Sequence, residues 1–309
     1  FNIPTANFGV FRNSIQAQTF LEKSKFPIVI KADGLASGKG VYICETKKQA
    51  VEAIEEIFNG KFGLAKEILI EEFLKGEEMS FFVISDGKCI KKFGTAQDHK
   101  RVGEGDIGLN TGGMGAYSPS RLENEDLDTK ILNKIIEPTL KALKEMGTNF
   151  KGFLYAGLMI SDNEPYLIEY NVRMGDPECQ TILPRLKTNF FEVIKAVIDE
   201  KLDKVKLDWH NNKTLSVVLC SKGYPGTYET KKEIKNLDKI VLTENEFVFH
   251  AGTKIENSKM ISNGGRVLNI VAKSKSFKES REIVLYLINK IDLKDFFYRK
   301  DIGFKVIDK

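Results

Sequence analysis

The stretch KADGLASGKG, residues 31–40, decides the fold, because its glycines and lysines can be read in two ways. A Walker A loop reads G-x-x-x-x-G-K-[ST], lies between a strand and a helix, and places its last hydroxyl on magnesium. Here Gly34 to Gly38 is one residue short, and Gly40 stands where the hydroxyl belongs. The flanks FPIVIKA (26–32) and GVYICET (40–46) are both apolar and β-branched, which predicts strand, loop, strand. No helix N-terminus then meets a phosphate. The segment is a glycine-rich flap, in which Lys39 between Gly38 and Gly40 can swing over phosphates while backbone N–H groups approach closely. Lys31 sits inside the first strand, where burial calls for a partner such as an ATP phosphate; at a strand edge it would reach to solvent instead.

The rest of the chain bounds what the flap covers. At 309 residues, 42% hydrophobic and 29% charged, two or three domains with hydrophobic interiors are expected. The 47 Lys and Arg against 43 Asp and Glu leave only +4, which argues against a protein held on nucleic acid by phosphate attraction. No apolar run approaches the roughly 18 residues of a membrane span, and no signal-peptide pattern opens the chain. A cytoplasmic enzyme is the expectation, with neither nucleic acid nor membrane as partner. Cys44, Cys89, Cys179 and Cys220 form no C-x-x-C pair, and His99, His210 and His250 are dispersed, so reduced thiols are expected rather than zinc or disulfides. The chain begins with Phe1, and FNIPTANFGVF reads like the middle of a protein, so a preceding segment is expected.

Downstream of the flap, Thr46 and Gln49 make a capping box for a helix over 46–58. EILIEEFL (67–74) predicts a strand, and SFFVISDGKCIKKF (80–93) a hairpin about Asp86-Gly87. GEGDIGLNTGGMG (103–115) has too much glycine for either regular element and is expected to be a long functional loop. Residues 127–147 read as helix with a kink or break at Pro138, and 153–171 as a hairpin about Asp162-Asn163. A helix over 189–201, a linker over 203–213, strands at TLSVVLC, KIVLT, FVFHAGTK and GRVLNIVA, and a closing helix capped by Ser276 and Glu279 complete the chain.

Alternation along YLIEYNVRMGDPE (166–178) puts Leu167, Glu169 and Asn171 on one face of a strand. Glu169 and Asn171 are then adjacent hard oxygen ligands suited to Mg²⁺, and Arg173 offers a planar fork for a transferring phosphoryl group or a substrate carboxylate. A polar edge on a surface hairpin explains the same residues equally well. In EEFLKGEE (71–78), the backbone from Glu72 to Leu74 can meet an adenine edge and Glu78 ribose hydroxyls, although acidic pairs at strand ends are mostly solvated. Asp98, His99, Lys100 and Arg101, ahead of the glycine-rich segment, fit a substrate-binding wall or a charged turn.

Taken in order, IKADGLASGKGV (30–41), EEFLKGEEMSFFV (71–83), QDHKRVGEGDIGLNTGGMGAYSP (97–119), IEYNVRMGDPE (168–178) and NGGRVLNI (263–270) resemble the signature blocks of the phosphoribosylamine-glycine ligase family, within the ATP-grasp superfamily. The resemblance runs from NIPTA (2–6) to DIGFK (301–305). It implies an α+β, ATP-grasp fold, two α+β subdomains with ATP between them, plus a small C-terminal mixed β-sheet domain. The expected division is the end of a linker (1–13), a lid subdomain (14–76), a central subdomain (77–205) and a C-terminal domain (206–309). The implied activity joins glycine to 5-phosphoribosylamine through glycyl phosphate, with ATP and Mg²⁺ or Mn²⁺, in purine biosynthesis.

By the same resemblance, Lys31, Gly38, Lys39 and Gly40 contact the nucleotide phosphates, Glu71, Glu72, Phe73 and Leu74 the adenine, and Glu78 the ribose. Glu169 and Asn171 hold the metal, Arg173 acts on the transition state, and Asp176 orients Arg173 or receives the glycine amine. Asp98, Lys100, Arg101, Gly112, Gly113, Asn263, Gly264, Gly265 and Arg266 become substrate contacts. Two departures stand out: LYAGLM (154–159) is apolar where many ATP-grasp enzymes carry a further metal-binding acid, and the family's N-terminal domain is lacking. A truncated or processed copy of an active enzyme, a monomer or weak dimer, is therefore expected. Another ATP-grasp purine ligase and a nucleotide-binding module without full activity are the competing readings.

Overall fold

The computed structural model describes residues 1–34, 40–63 and 65–307, so Gly38 and Lys39 of the flap lie outside the described residues. The chain divides into two compact units, a smaller one of residues 3–77 with 159–168, and a larger one of 1–2, 78–158 and 169–309.

The smaller unit holds β1 (Phe8–Phe11), α1 (Ser14–Leu21), β2 (Ile28–Ala32), β3 (Val41–Cys44), α2 (Lys47–Phe58) and β4 (Ile68–Glu72). Its four strands make an antiparallel sheet in the order β1-β4-β2-β3. The flap strands pair as their composition predicts, with Ile28 opposite Cys44 and Lys31 opposite Val41. Alternation sends Ile28, Ile30, Ile68 and Ile70 to one face, where they pack on Leu21, Ile54 and Ile57. Each such buried side chain contributes about 1.5–3 kcal/mol relative to exposure. The Thr46 capping box forms: Thr46 Oγ1 accepts from the Gln49 N–H, and the Gln49 side chain accepts from the Thr46 N–H. β1 and α1 went unpredicted, because FGVF is short and α1 alternates polar and apolar residues without a clear stripe.

The larger unit is built mainly on β5 (Glu77–Asp86), β6 (Ile90–Asp98), β7 (Arg101–Gly103), β8 (Ile107–Asn110), β9 (Gly115–Ser118) and β10 (Lys151–Ser161), while β11 (Glu164–Asn171) belongs to the smaller unit up to Ile168 and to the larger from Glu169. Helices α3 (Glu125–Ile131) and α4 (Glu137–Glu145) lie between β9 and β10, and α5 (Cys179–Ile182) and α6 (Phe190–Ile198) follow β11. The C-terminal part adds β12 (Lys213–Ser221), β13 (Glu246–His250), β14 (Thr253–Glu256), β15 (Lys259–Ser262), β16 (Arg266–Ser274), α7 (Phe277–Ile288), β17 (Phe296–Phe297) and α8 (Phe304–Ile307). One sheet runs β11-β10-β5-β6-β9-β12-β16-β13, with β17 beside β12. Among its buried side chains, one cluster gathers around Phe82, Phe93 and Val193, and another around Leu215, Val217, Leu268 and Ile288.

Three expectations need correction. Residues 103–115 are not a long loop: β7 and β8 form a small hairpin, Arg101 opposite Asn110, and β9 begins at Gly115. Gly105 and Gly108, at φ +72° and +84°, supply left-handed turns that other side chains rarely adopt. At Pro138 the helix does not break, the break being the part of that expectation to correct: a π-helical turn over Leu132–Ile136, an irregularity of the kind that kinks helices, precedes it and places proline in the first turn of α4. KIVLT (239–243) is irregular chain after a 3₁₀ turn, Leu237–Lys239, with Val241 87% exposed rather than packed on a sheet.

Candidate active site

On the smaller unit, the sheet face away from the helices carries Val29, Lys31, Leu69 and Glu71, since Val29 lies opposite Glu71 and Lys31 opposite Leu69. Lys31 Nζ is 2.7 Å from Glu71 Oε2 and donates to the Ile168 carbonyl at 3.4 Å. The lysine thus has the partner that its partial burial requires. The Gly40 carbonyl accepts from the Ala32 N–H at 2.9 Å. Glu72 ties the chain start to β4: its Oε1 accepts from the Asn7 backbone and amide nitrogens, and its own N–H donates to the Asn7 carbonyl. Phe73 and Leu74 follow the end of the strand in irregular chain.

On the larger unit, adjacent strands bring polar groups to one recess lined by Glu78, Ser80, Asp98, Lys100, Tyr155 and Gly157. Lys100 Nζ donates to Glu78 Oε2. Burial alone would lower the lysine pKa, but Glu78, with Asp98 and Glu169 near, outweighs it and holds the ammonium above its ordinary value. Asp98 behaves in the opposite way. Burial pushes its carboxyl well above the carboxylate range, and nearby Glu178 adds to this against the pull of Lys100 and Arg266. Asp98 Oδ1 is buried beside Gly113 without a hydrogen-bond partner.

Glu178 went unpredicted. It is 3% exposed, and its Oε1 is 3.1 Å from Ser80 Oγ, which in turn is 2.9 Å from Tyr155 Oη. A signal was present, since Glu178 closes the GDPE run whose Asp176 drew attention. Gly175 makes room for it, because a Cβ there would meet the Glu178 carboxylate at 2.4 Å. Ser80 and Tyr155 gave no such signal, each lying within an apolar strand.

Glu169 and Asn171 sit side by side at the end of β11, with Asn171 Nδ2 donating to Glu169 Oε1 at 3.3 Å. Arg173 is exposed and donates from Nη1 to the Met174 carbonyl. Asp176 does not orient Arg173: its Oδ1 accepts from Gln180 and its Oδ2 from Arg266 Nη2, 3.1 Å away. Arg266 Nη1 also donates to the carbonyls of Gly112, at 2.6 Å, and Asp176, at 2.8 Å. The Gly112 N–H donates to Tyr224 Oη. Gly113, at φ +113°, lies against Pro177 and Asp98, where a Cβ would come within 2.4 Å and 2.8 Å. The segment 111–113 therefore does reach the acidic recess.

Arg101 is not among the residues that line it and donates to the Gly108 carbonyl inside its own hairpin. The Asn263 N–H donates to Gly252, and the carbonyls of Gly264 and Gly265 accept from Ser221, so their backbones brace the C-terminal strands. Of the NGGR run, Arg266 is the residue brought to Asp176 and Gly112.

The biotin carboxylase domain of the Hydrogenobacter thermophilus 2-oxoglutarate carboxylase is similar in fold, with a TM-score of 0.68 and 15% identity over 94% of this chain and 63% of that chain. The class is ATP-grasp, as the family model over the first part of the chain describes it. The family model described as phosphoribosylglycinamide synthetase, ATP-grasp (A) domain, matches residues 1–179, and that of the synthetase C domain matches 214–305. The chain belongs to the phosphoribosylglycinamide synthetase family. It is 43% identical to a Brucella melitensis phosphoribosylamine-glycine ligase across 100% of this chain and 73% of that protein. The crystal structure of the Thermotoga maritima phosphoribosylamine-glycine ligase is similar with a TM-score of 0.85 and 34% identity, over 97% of this chain and 75% of that one. Among the described residues, no helix is long and apolar enough to cross a membrane.

Proposed function

We propose that the chain catalyses the ATP-dependent ligation of glycine to 5-phosphoribosylamine, giving glycinamide ribonucleotide, ADP and phosphate, a carbon–nitrogen ligation of purine biosynthesis. The observation that carries this is the match of both synthetase domains in order along one chain, joined to 43% identity with a phosphoribosylamine-glycine ligase over the whole of this chain and 73% of that protein.

The chemistry requires activation, because an amine does not displace oxide from a carboxylate. Transfer of the γ-phosphoryl group of ATP to a glycine carboxylate oxygen gives glycyl phosphate and ADP. The amine of phosphoribosylamine then attacks the carbonyl carbon, the bond from that carbon to the phosphate oxygen breaks, and the nitrogen gives up a proton. No side-chain nucleophile is needed, so catalysis rests on positioning and charge stabilisation.

In this reading Lys31, paired with Glu71, serves the nucleotide phosphates, the backbone at Phe73 and Leu74 the adenine, and Glu78 the ribose. Arg173, exposed at the end of β11, reaches for the transferring group. Asp98, Lys100 and the 111–113 segment hold substrate. Glu169 and Asn171 fit a magnesium or manganese ion. They supply two hard oxygens, the Asn171 amide nitrogen being turned to Glu169, and such ions complete their shell with phosphate oxygens and water. When bound, the ion would neutralise charge on the phosphates.

The test is phosphate release measured with ATP, glycine and phosphoribosylamine omitted in turn. Release that needs all three is expected. Release without glycine, or with bicarbonate or formate in its place, would overturn the assignment.

A further inference from the structure

We infer that His99 is a positioning residue: through a buried ionic hub it fixes the directions of Asp98 and Lys100 and the placement of the 111–115 segment. The inference rests on the reading above, in which Asp98 and Lys100 handle substrate.

Three consecutive residues in extended chain alternate sides, so Asp98 and Lys100 face the recess while His99 points into the core, 1% exposed. Both ring nitrogens of His99 are committed. Nε2 accepts from the Gly303 N–H at 3.0 Å, so the ring proton sits on Nδ1, which donates to Asp106 Oδ1 at 3.1 Å. The imidazole also lies against the rings of Tyr117 and Phe304, at centroid distances of 6.0 Å and 5.5 Å. It has one tautomer and one orientation available.

Behind it lies Arg299, a guanidinium 1% exposed. It donates to Asp301 from Nε at 2.9 Å and from Nη2 at 2.6 Å, and from Nη1 to Asp106 at 2.8 Å and to the Arg101 carbonyl at 2.9 Å. Lys305 Nζ lies 2.7 Å from Asp106 Oδ2, and Asp301 accepts from the Gly105 N–H. Two cations and two anions balance around a neutral imidazole. Every contact from this hub to residues 101–106 pins the β7-β8 hairpin to the C-terminal segment. The His99 backbone extends the same frame: its N–H donates to the Gly115 carbonyl, its carbonyl accepts from Met114, and the Lys100 carbonyl accepts from Thr111.

Buried ionic clusters commonly add little net stability over apolar packing, so geometry is the better account of one placed directly behind two site residues. The test is steady-state ligation kinetics with thermal unfolding for His99→Leu, His99→Asn and Lys100→Met. His99→Leu is expected to lower kcat about 100-fold per folded molecule, with the KM for ATP unchanged. His99→Asn, which keeps a donor for Asp106, is expected to recover about tenfold of that loss. Equal kcat in His99→Leu and the parent, or losses in both His99 variants that track the folded fraction alone, would overturn the inference. Should His99→Leu not fold, an undiminished kcat in His99→Asn overturns it and a roughly tenfold fall supports it. A normal kcat in Lys100→Met would instead sink the underlying reading of the site.

Discussion

At Asp98, burial and the neighbouring Glu178 both disfavour the charged carboxylate, so the folded chain binds its proton more tightly than the unfolded chain does. The sign follows: above the unfolded pKa of about 3.9, ionisation costs the native state stability, and below it the cost vanishes. Asp98→Asn is therefore expected to unfold at higher denaturant than the parent at pH 8 and to converge with it below about pH 4, while turnover falls about 100-fold. Denaturant titrations at both pH values check the first part, and lower stability at pH 8 would contradict it. Glu169→Ala is expected to abolish turnover; normal activity in that variant would remove the metal assignment. Gly175→Ala pushes a Cβ to 2.4 Å from the Glu178 carboxylate. It should destabilise by about 1–3 kcal/mol, and it should lower kcat in the fraction that stays folded. Activity normalised to folded protein, from near-ultraviolet dichroism, separates the two effects.

At the scale of elements, legibility followed periodicity. The flap strands, the capped helix α2 and the hairpins about Asp86-Gly87 and Asp162-Asn163 were readable because turn chemistry and alternation agree there. Asp162 and Asn163 both adopt left-handed backbone, at φ 50° and 61°, as a two-residue hairpin turn requires. The β7-β8 hairpin was not readable, since a three-residue strand has no period and the groups that hold it, Arg299 and Asp301, lie about 200 residues away in sequence. The site divides along the same line. Glu169 and Asn171 stood out by alternation within one strand, whereas Glu178, Ser80 and Tyr155 meet only because separate strands and a helix N-terminus converge. Arg266 was singled out by its motif, but its bond to Asp176 required the tertiary structure. For α2, Thr46→Ala should cost about 1 kcal/mol of stability in the smaller unit through loss of the cap. A change near zero in the denaturant midpoint would show that tertiary packing alone holds that helix.

At the scale of the whole molecule, acid sensitivity has an identifiable seat. Burial would raise the Asp106 pKa, but His99, Lys305 and Arg299 outweigh it and drive the carboxyl far below its ordinary range. Asp301 is lowered in the same way by Arg299 and the Gly105 N–H, again against burial. Both carboxylates therefore contribute stability that is present above about pH 4 and lost progressively as pH falls further. The Asp106→Asn variant should be destabilised by about 3–5 kcal/mol at pH 7, because Arg299 is left buried with one anion fewer, and its deficit should shrink below pH 4. Denaturant unfolding across pH 3–7 measures this, and a constant deficit would contradict the assignment.

The assembly of these parts in one chain carries the central claim, that a glycine carboxylate is activated by phosphorylation and then joined to an amine. Glycine labelled with ¹⁸O in its carboxylate tests this directly, with mass analysis of the inorganic phosphate formed during ligation. Phosphate carrying one glycine-derived oxygen per molecule of glycinamide ribonucleotide is the predicted result. Phosphate without label, alongside normal product formation, would contradict it.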